Sequence, residues 1–166
     1  MNTSTVKAPV GRIVKDSAVG SVSMEYYNSK GQEHNPDGPA VTWLEGPLAG
    51  RMHFYKNGVM HRDGDRPAII TEDGSLSWLI EGKYHRENGP AKIINQGNGA
   101  HSYHWMKNDK LHREDGPANI WDSAFPGRNM YEFCLKGKYY SIEKYYELCA
   151  HNIKMTEAEF FEMYNK

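Results

Sequence analysis

Two cysteines in 166 residues, Cys134 and Cys149, are too few for a disulfide framework and cannot form a zinc quartet. The expectation is two free, packed thiols in a reducing cytoplasm. No apolar run is long enough to span a bilayer, and the first twenty residues hold no signal-peptide segment, so no membrane insertion is expected. Neither sign of charge is in excess: 20 Lys and Arg against 21 Asp and Glu leave −1. That excludes a general pull towards nucleic acid or anionic lipid, though not a local basic stripe. Eight histidines are present, yet no short-spaced pair is backed by a second, so neither metal nor cofactor is expected. With 39% hydrophobic residues and a mean hydropathy of −0.77, the chain has material for one domain with a modest core.

What is abundant is turn and strand chemistry: sixteen Gly and eleven Tyr. The stretch HREDGPA begins at His112, and its relatives HNPDGPA, HRDGDRPA and HRENGPA begin at His34, His61 and His85. The four histidines are 27, 24 and 27 residues apart, a period that marks a repeat architecture. A fifth, worn copy is FCLKGKYY, with Tyr140 at the histidine position.

A turn signal precedes each histidine, and an aromatic precedes each turn: Tyr27, Phe54, Trp78, Trp105 and Phe133. Each unit reads as strand, tight turn, short histidine strand, second turn and another strand. The second turn contains Gly38, Gly64, Gly89 or Gly116, expected to supply a positive φ. Pro39, Pro67, Pro90 or Pro117 then opens the next strand, where a missing N–H is tolerated. After the alanine that comes next, Thr42, Ile70, Ile93 and Ile120 read as the inner face. Val41, Ile69, Lys92 and Asn119 read as the outer one.

The expected fold is mainly β: stacked antiparallel β-hairpin repeats in an elongated meander, capped by two short C-terminal α-helices. Residues 1–20 are a flexible lead-in or first strand, 21–140 the hairpin array with four clear repeats and one degenerate, and 141–166 the helical cap. Ser141 is a candidate N-cap, with Ile142, Tyr145, Tyr146 and Cys149 at helical spacing. Thr156 and Glu159 form a capping-box signature, with Met155 and Phe160 as its staple. A free sheet edge would leave homo-oligomerisation open.

A catalytic site needs one constellation of matched groups, whereas four regular copies suggest a motif each unit needs to fold, so no catalytic residue is assigned. The histidines are expected to donate to a neighbouring backbone carbonyl. Arg62, Arg86 and Arg113 share one repeat position; facing solvent, they would form a row able to hold a nucleotide or nucleic acid beside the aromatics. The acids next to them make intra-repeat ion pairing the more economical use.

Function is expected where the pattern breaks. The first copy has Asn35-Pro36 in place of Arg and acid, and the second is one residue longer, which places Arg66 before its proline. The connections between repeats also differ. Trp43, Trp121 and Phe125 flank two of them, either as anchors for a protein partner or as core.

The units WMKNDKLHREDGPANI and WLIEGKYHRENGPAKI resemble a W-x-x-x-G-x-x-H-R-x-x-G-P-A repeat of small proteins from large tailed phages and giant viruses. The resemblance covers about residues 24–140, and GKYYSIEKYYE is similar to the way such proteins end. More loosely the units are similar to MORN-type hairpin repeats, whose regular Gly-x-Gly pattern is missing. The resemblance implies an infected bacterial cytoplasm and action by binding a host protein, such as a defence component. It implies no catalytic residues.

Overall fold

The computed structural model describes residues 8–122 and 129–164. The chain is mainly β, a long antiparallel meander followed by two C-terminal helices. In order, its strands begin with β1 (Val10–Asp16), β2 (Ser21–Tyr27), β3 (Val41–Glu45), β4 (Met52–His53), β5 (Tyr55–Lys56), β6 (Val59–Met60), β7 (Ile69–Ile70) and β8 (Leu76–Ser77). They continue with β9 (Leu79–Ile80), β10 (Lys83–Tyr84), β11 (Lys92–Asn95), β12 (His101–His104), β13 (Met106–Lys107), β14 (Lys110–Leu111), β15 (Asn119–Trp121), β16 (Met130–Leu135) and β17 (Lys138–Tyr140). Helices α1 (Ile142–Cys149) and α2 (Glu157–Tyr164) come last.

Two compact units divide the chain: one runs to Glu72 and includes Trp78–Gly82, the other takes Asp73–Ser77 and everything from Lys83. In the first, β1, β2, β3, β4 and β7 pair antiparallel in that order, and β5–β6 is a side hairpin. In the second, the order is β8, β11, β12, β15, β16, β17, with β13–β14 as the side hairpin. The repeat therefore alternates sheet strands with short hairpins.

Backbone bonds at the root of each hairpin recur. Phe54 N donates to Ala68 O (2.8 Å) and His61 N to Phe54 O (3.0 Å); Trp105 N donates to Ala118 O (2.8 Å) and His112 N to Trp105 O (2.9 Å). In the first repeat Tyr26 makes both bonds, to Ala40 O (2.8 Å) and from His34 N (2.9 Å), so the aromatic aligned by sequence, Tyr27, is displaced by one. The cause is a longer first turn, closed by Asn28 N donating to Gln32 O, where later repeats turn in two residues.

Those two-residue turns place both residues at positive φ: Asn57-Gly58 (53° and 78°), Glu81-Gly82 (50° and 77°) and Lys136-Gly137 (52° and 84°). This is the twist-matched type I′ geometry of tight hairpins. Asn108-Asp109 does the same without glycine (49° and 65°), using the tolerance of Asn and Asp for the left-handed region.

The assignment of sheet faces needs correction. Val41 (6% exposed) and Asn119 (4%) are buried, while Thr42, Ile70, Ile93 and Ile120 are only half-buried. Pairing explains this. Asn119 stands in a row with His104 and Glu132 across β12, β15 and β16, and the three hydrogen-bond along it. A polar residue is buried there because its amide is satisfied.

The helices pack on β16. Phe133, Tyr145, Cys149, Ile153 and Phe160 form the buried cluster. Ser141 caps α1 by accepting from Lys144 N, and the capping box of α2 closes with Thr156 N donating to Glu159 Oε2 (2.8 Å) and Glu159 N to Thr156 Oγ1 (3.3 Å). Both cysteines are buried and free. Among the described residues no helix is long and apolar enough to cross a membrane.

Candidate functional site

The motif histidines fasten one hairpin to the turn of the next, by a different bond from the one anticipated. His34 Nδ1 accepts from Asn57 N (3.3 Å), His61 Nδ1 from Glu81 N (3.1 Å) and His112 Nδ1 from Lys136 N (3.3 Å). At His85 the contact has the other sense, Nδ1 lying 3.1 Å from Asn108 Oδ1, an acceptor. At His61 and His112 the accepting Nδ1 fixes the proton on Nε2, and in the second, third and fourth motifs Nε2 meets an acid two residues on. His61 Nε2 lies 2.8 Å from Asp63, His85 Nε2 2.8 Å from Glu87, and His112 Nε2 3.5 Å from Glu114. The His61 bond and Lys56 at 3.0 Å push the Asp63 carboxyl down to about 2. Lys107 and then His85 lower that of Glu87.

The arginines do something else. Arg62 lies over the Phe54 ring (3.6 Å to the centroid) and Arg113 over Trp105 (4.0 Å). Arg62, Arg86 and Arg113 reach across their turns from Nη1 to the carbonyls of Pro67 (3.1 Å), Pro90 (3.4 Å) and Pro117 (3.3 Å). All three are half-buried. Arg113 also pairs with Asp115 (2.7 Å). Asp63 of the second motif and Glu87 of the third pair with histidine and lysine.

This resolves the second-turn glycines. Gly64 has a positive φ (78°), but Gly38, Gly89 and Gly116 do not. A Cβ at Gly89 would stand 3.1 Å from Arg86 Nη1, and one at Gly116 3.1 Å from Arg113 Cζ. In these two motifs any larger residue would press on the guanidinium that crosses the turn. In the first repeat Asn35 plays the arginine's part, its Nδ2 donating to Pro39 O (3.0 Å).

The irregular positions converge. Asn35, Pro36 and Arg66 line one cavity of about 190 Å³, together with His34, Asp37, Lys56 and Asp63. Arg66 is exposed and donates from Nε to Asp63 O (3.0 Å).

Trp43 and Trp121 are strand residues, half-buried and edge-on to a histidine of the adjacent strand: His53 (4.7 Å between centroids) and His104 (5.8 Å). Phe125 lies outside the described residues.

Sequence reading missed two sheet histidines, because their neighbours come from paired strands rather than from the motif. His104 links Ser102 Oγ (3.2 Å from Nε2) to Asn119 Oδ1 (2.7 Å from Nδ1), and Asn119 Nδ2 donates to Glu132 (2.9 Å). The order resembles a nucleophile-base-orienter chain, but Ser102 is only 1% exposed.

His53 Nε2 is buried without a hydrogen-bond partner. Burial, then the Arg51 charge, pulls its pKa down from 6.5 to about 4. The unfolded imidazole takes up its proton at a higher pH than the folded one. This contribution to stability is therefore full above pH 6.5 and lost as pH falls towards 4. The expected loss is on the order of 1–2 kcal/mol after allowing for partial exposure. Unfolding free energies measured from pH 7 to 4 should fall more steeply for the wild type than for His53→Phe; parallel slopes would contradict a neutral buried His53.

No family model matches the chain, and no curated protein matches it either.

Proposed function

We propose that the protein is a non-enzymatic interaction module, a phage-type accessory factor that binds a host protein and modulates or inhibits it. One observation carries the reading. Most of the polar groups the motifs repeat are taken up by folding, in turn-fastening, stacking and carbonyl bonds, while the residues that break the pattern share a cavity. A repeat scaffold with one irregular pocket suits recognition better than catalysis. The Ser102–His104–Asn119 chain, sealed at its serine, adds no competing acyl-transfer reading.

The test is affinity capture from nuclease-treated bacterial lysate, followed by reconstitution with the purified candidate. A stoichiometric complex that survives nuclease supports the module. Failure to reconstitute any complex refutes it.

The alternative is binding of a nucleotide or nucleic acid on an Arg/aromatic face. It draws on Arg62 and Arg113 beside Phe54 and Trp105, but those rings are already covered by the guanidinium groups. A salt-dependent gel shift at low ionic strength would restore it.

A further inference from the structure

The first motif differs from its siblings in a way that makes the binding reading more specific, and the occupant assigned to its cavity rests on that reading. In the second, third and fourth motifs the residue two after histidine is an acid facing Nε2, close enough in the second and third to hydrogen-bond it. In the first that residue is Pro36. His34 keeps the siblings' other bond, with Nδ1 accepting from Asn57 N, so its proton also sits on Nε2. The motif register turns that N–H towards the Pro36 side of the ring, where Pro36 lines the cavity. Here the residue two after histidine offers no carboxylate, and the motif's one acid, Asp37, stands a place further on.

The second irregularity lies opposite. The extra residue in HRDGDRPA puts Arg66 at the place glycine holds in the other motifs, and its guanidinium lines the same cavity. Its Nε is spent on Asp63 O, and no carboxylate pairs with it among the described residues. Arg62, committed to Phe54 and Pro67 O, stands near enough for the two positive charges to repel.

We propose that this cavity receives one carboxylate, the side chain of an Asp or Glu on the partner protein, held between His34 Nε2–H and the Arg66 guanidinium. The incoming acid does for the first motif what Asp63, Glu87 and Glu114 do for the others. Charge and size select it. Lys56, Arg62 and Arg66 face Asp37 and Asp63, and Asp63 is already answered by His61 and Lys56, which leaves room for one negative charge rather than two. The volume of about 190 Å³ is below the roughly 300 Å³ at which sites for drug-sized ligands begin.

The experiment uses the full chain and nitrogen-detected NMR of the His34 ring and Arg66 Nε. Probes are N-acetyl-glutamate N-methylamide, its glutamine analogue, inorganic phosphate and a single-stranded oligonucleotide. The glutamate probe should shift both groups saturably and the glutamine analogue should not. Arg66→Gln should weaken the effect about tenfold, as loss of a charge-assisted hydrogen bond implies. Pro36→Glu restores the residue type of the third and fourth motifs. It should melt no lower than wild type while abolishing the response, because its own carboxylate then takes the site. Unmoved His34 and Arg66 signals, an equal response to the glutamine analogue, or a stronger one to phosphate or oligonucleotide would overturn the proposal. A host protein bound equally by wild type and Pro36→Glu would remove this cavity from the interface and leave the module reading standing. Glutamate binding without any host complex would do the reverse.

Discussion

Truncating Tyr145 to alanine should lower the unfolding free energy by about 3–5 kcal/mol, the range for removing a large aromatic from a core. Tyr145 is fully buried, 4.9 Å from the Phe133 ring and stacked on Phe160 at 6.2 Å. Its hydroxyl enters the last motif turn, 2.7 Å from Arg113 O and 2.8 Å from Gly116 O, and accepts from Gly116 N (3.1 Å). The helix α1 thereby closes HREDGPA from inside. Tyr145→Phe separates the two contributions: the ring stays, a buried N–H loses its acceptor, and two carbonyls lose the single O–H they share. That change should cost about 1–3 kcal/mol. Urea unfolding followed by circular dichroism gives both values. Amide exchange adds a local check, since Gly116 should exchange faster in Tyr145→Phe while Gly89 stays unchanged. Wild-type stability in Tyr145→Phe would mean the phenol only fills space.

The repeat made the fold legible. The turn signal ahead of each histidine announced a tight hairpin, and the HRxxGPA spacing announced the second turn and the strand after it. The capping box at Thr156 located α2 because its bonds are local in sequence. Pairing across the sheet was harder to read. Asn119 looked solvent-facing from alternation alone, and only its register opposite His104 and Glu132 shows why it is buried. The second-turn glycine adopts the expected left-handed backbone only at Gly64; at Gly89 and Gly116 its missing side chain leaves space for an arginine instead. The site was legible as a set of exceptions, Asn35, Pro36 and Arg66. Their convergence on one cavity is a tertiary fact, since the two motifs that supply them are about thirty residues apart.

The alanine of the motif should be nearly as intolerant as the largest residue of the cap. Ala40, Ala68, Ala91 and Ala118 are each 0% exposed, so the methyl has protein on every side. Their backbone groups tie each hairpin root to the sheet: Ala91 N donates to His104 O (2.8 Å), Ala118 N to Glu132 O (2.8 Å), and Ala40 N to His53 O (2.9 Å). The preceding proline holds φ near its fixed value, so the strand has little freedom to retreat from a larger side chain. Ala91→Leu adds three carbons to a site that bonds leave unable to shift, and overpacking of this kind should cost about 2–3 kcal/mol. For a chain of this length the melting temperature should fall by about 5–10 °C. Ala91→Gly errs the other way, removing a buried methyl and loosening the unfolded chain, and should cost about 1 kcal/mol. Both changes being destabilising, with leucine the worse, is the signature of a filled position, and a leucine variant that melts with the wild type would show that the motif keeps alanine for some reason other than space.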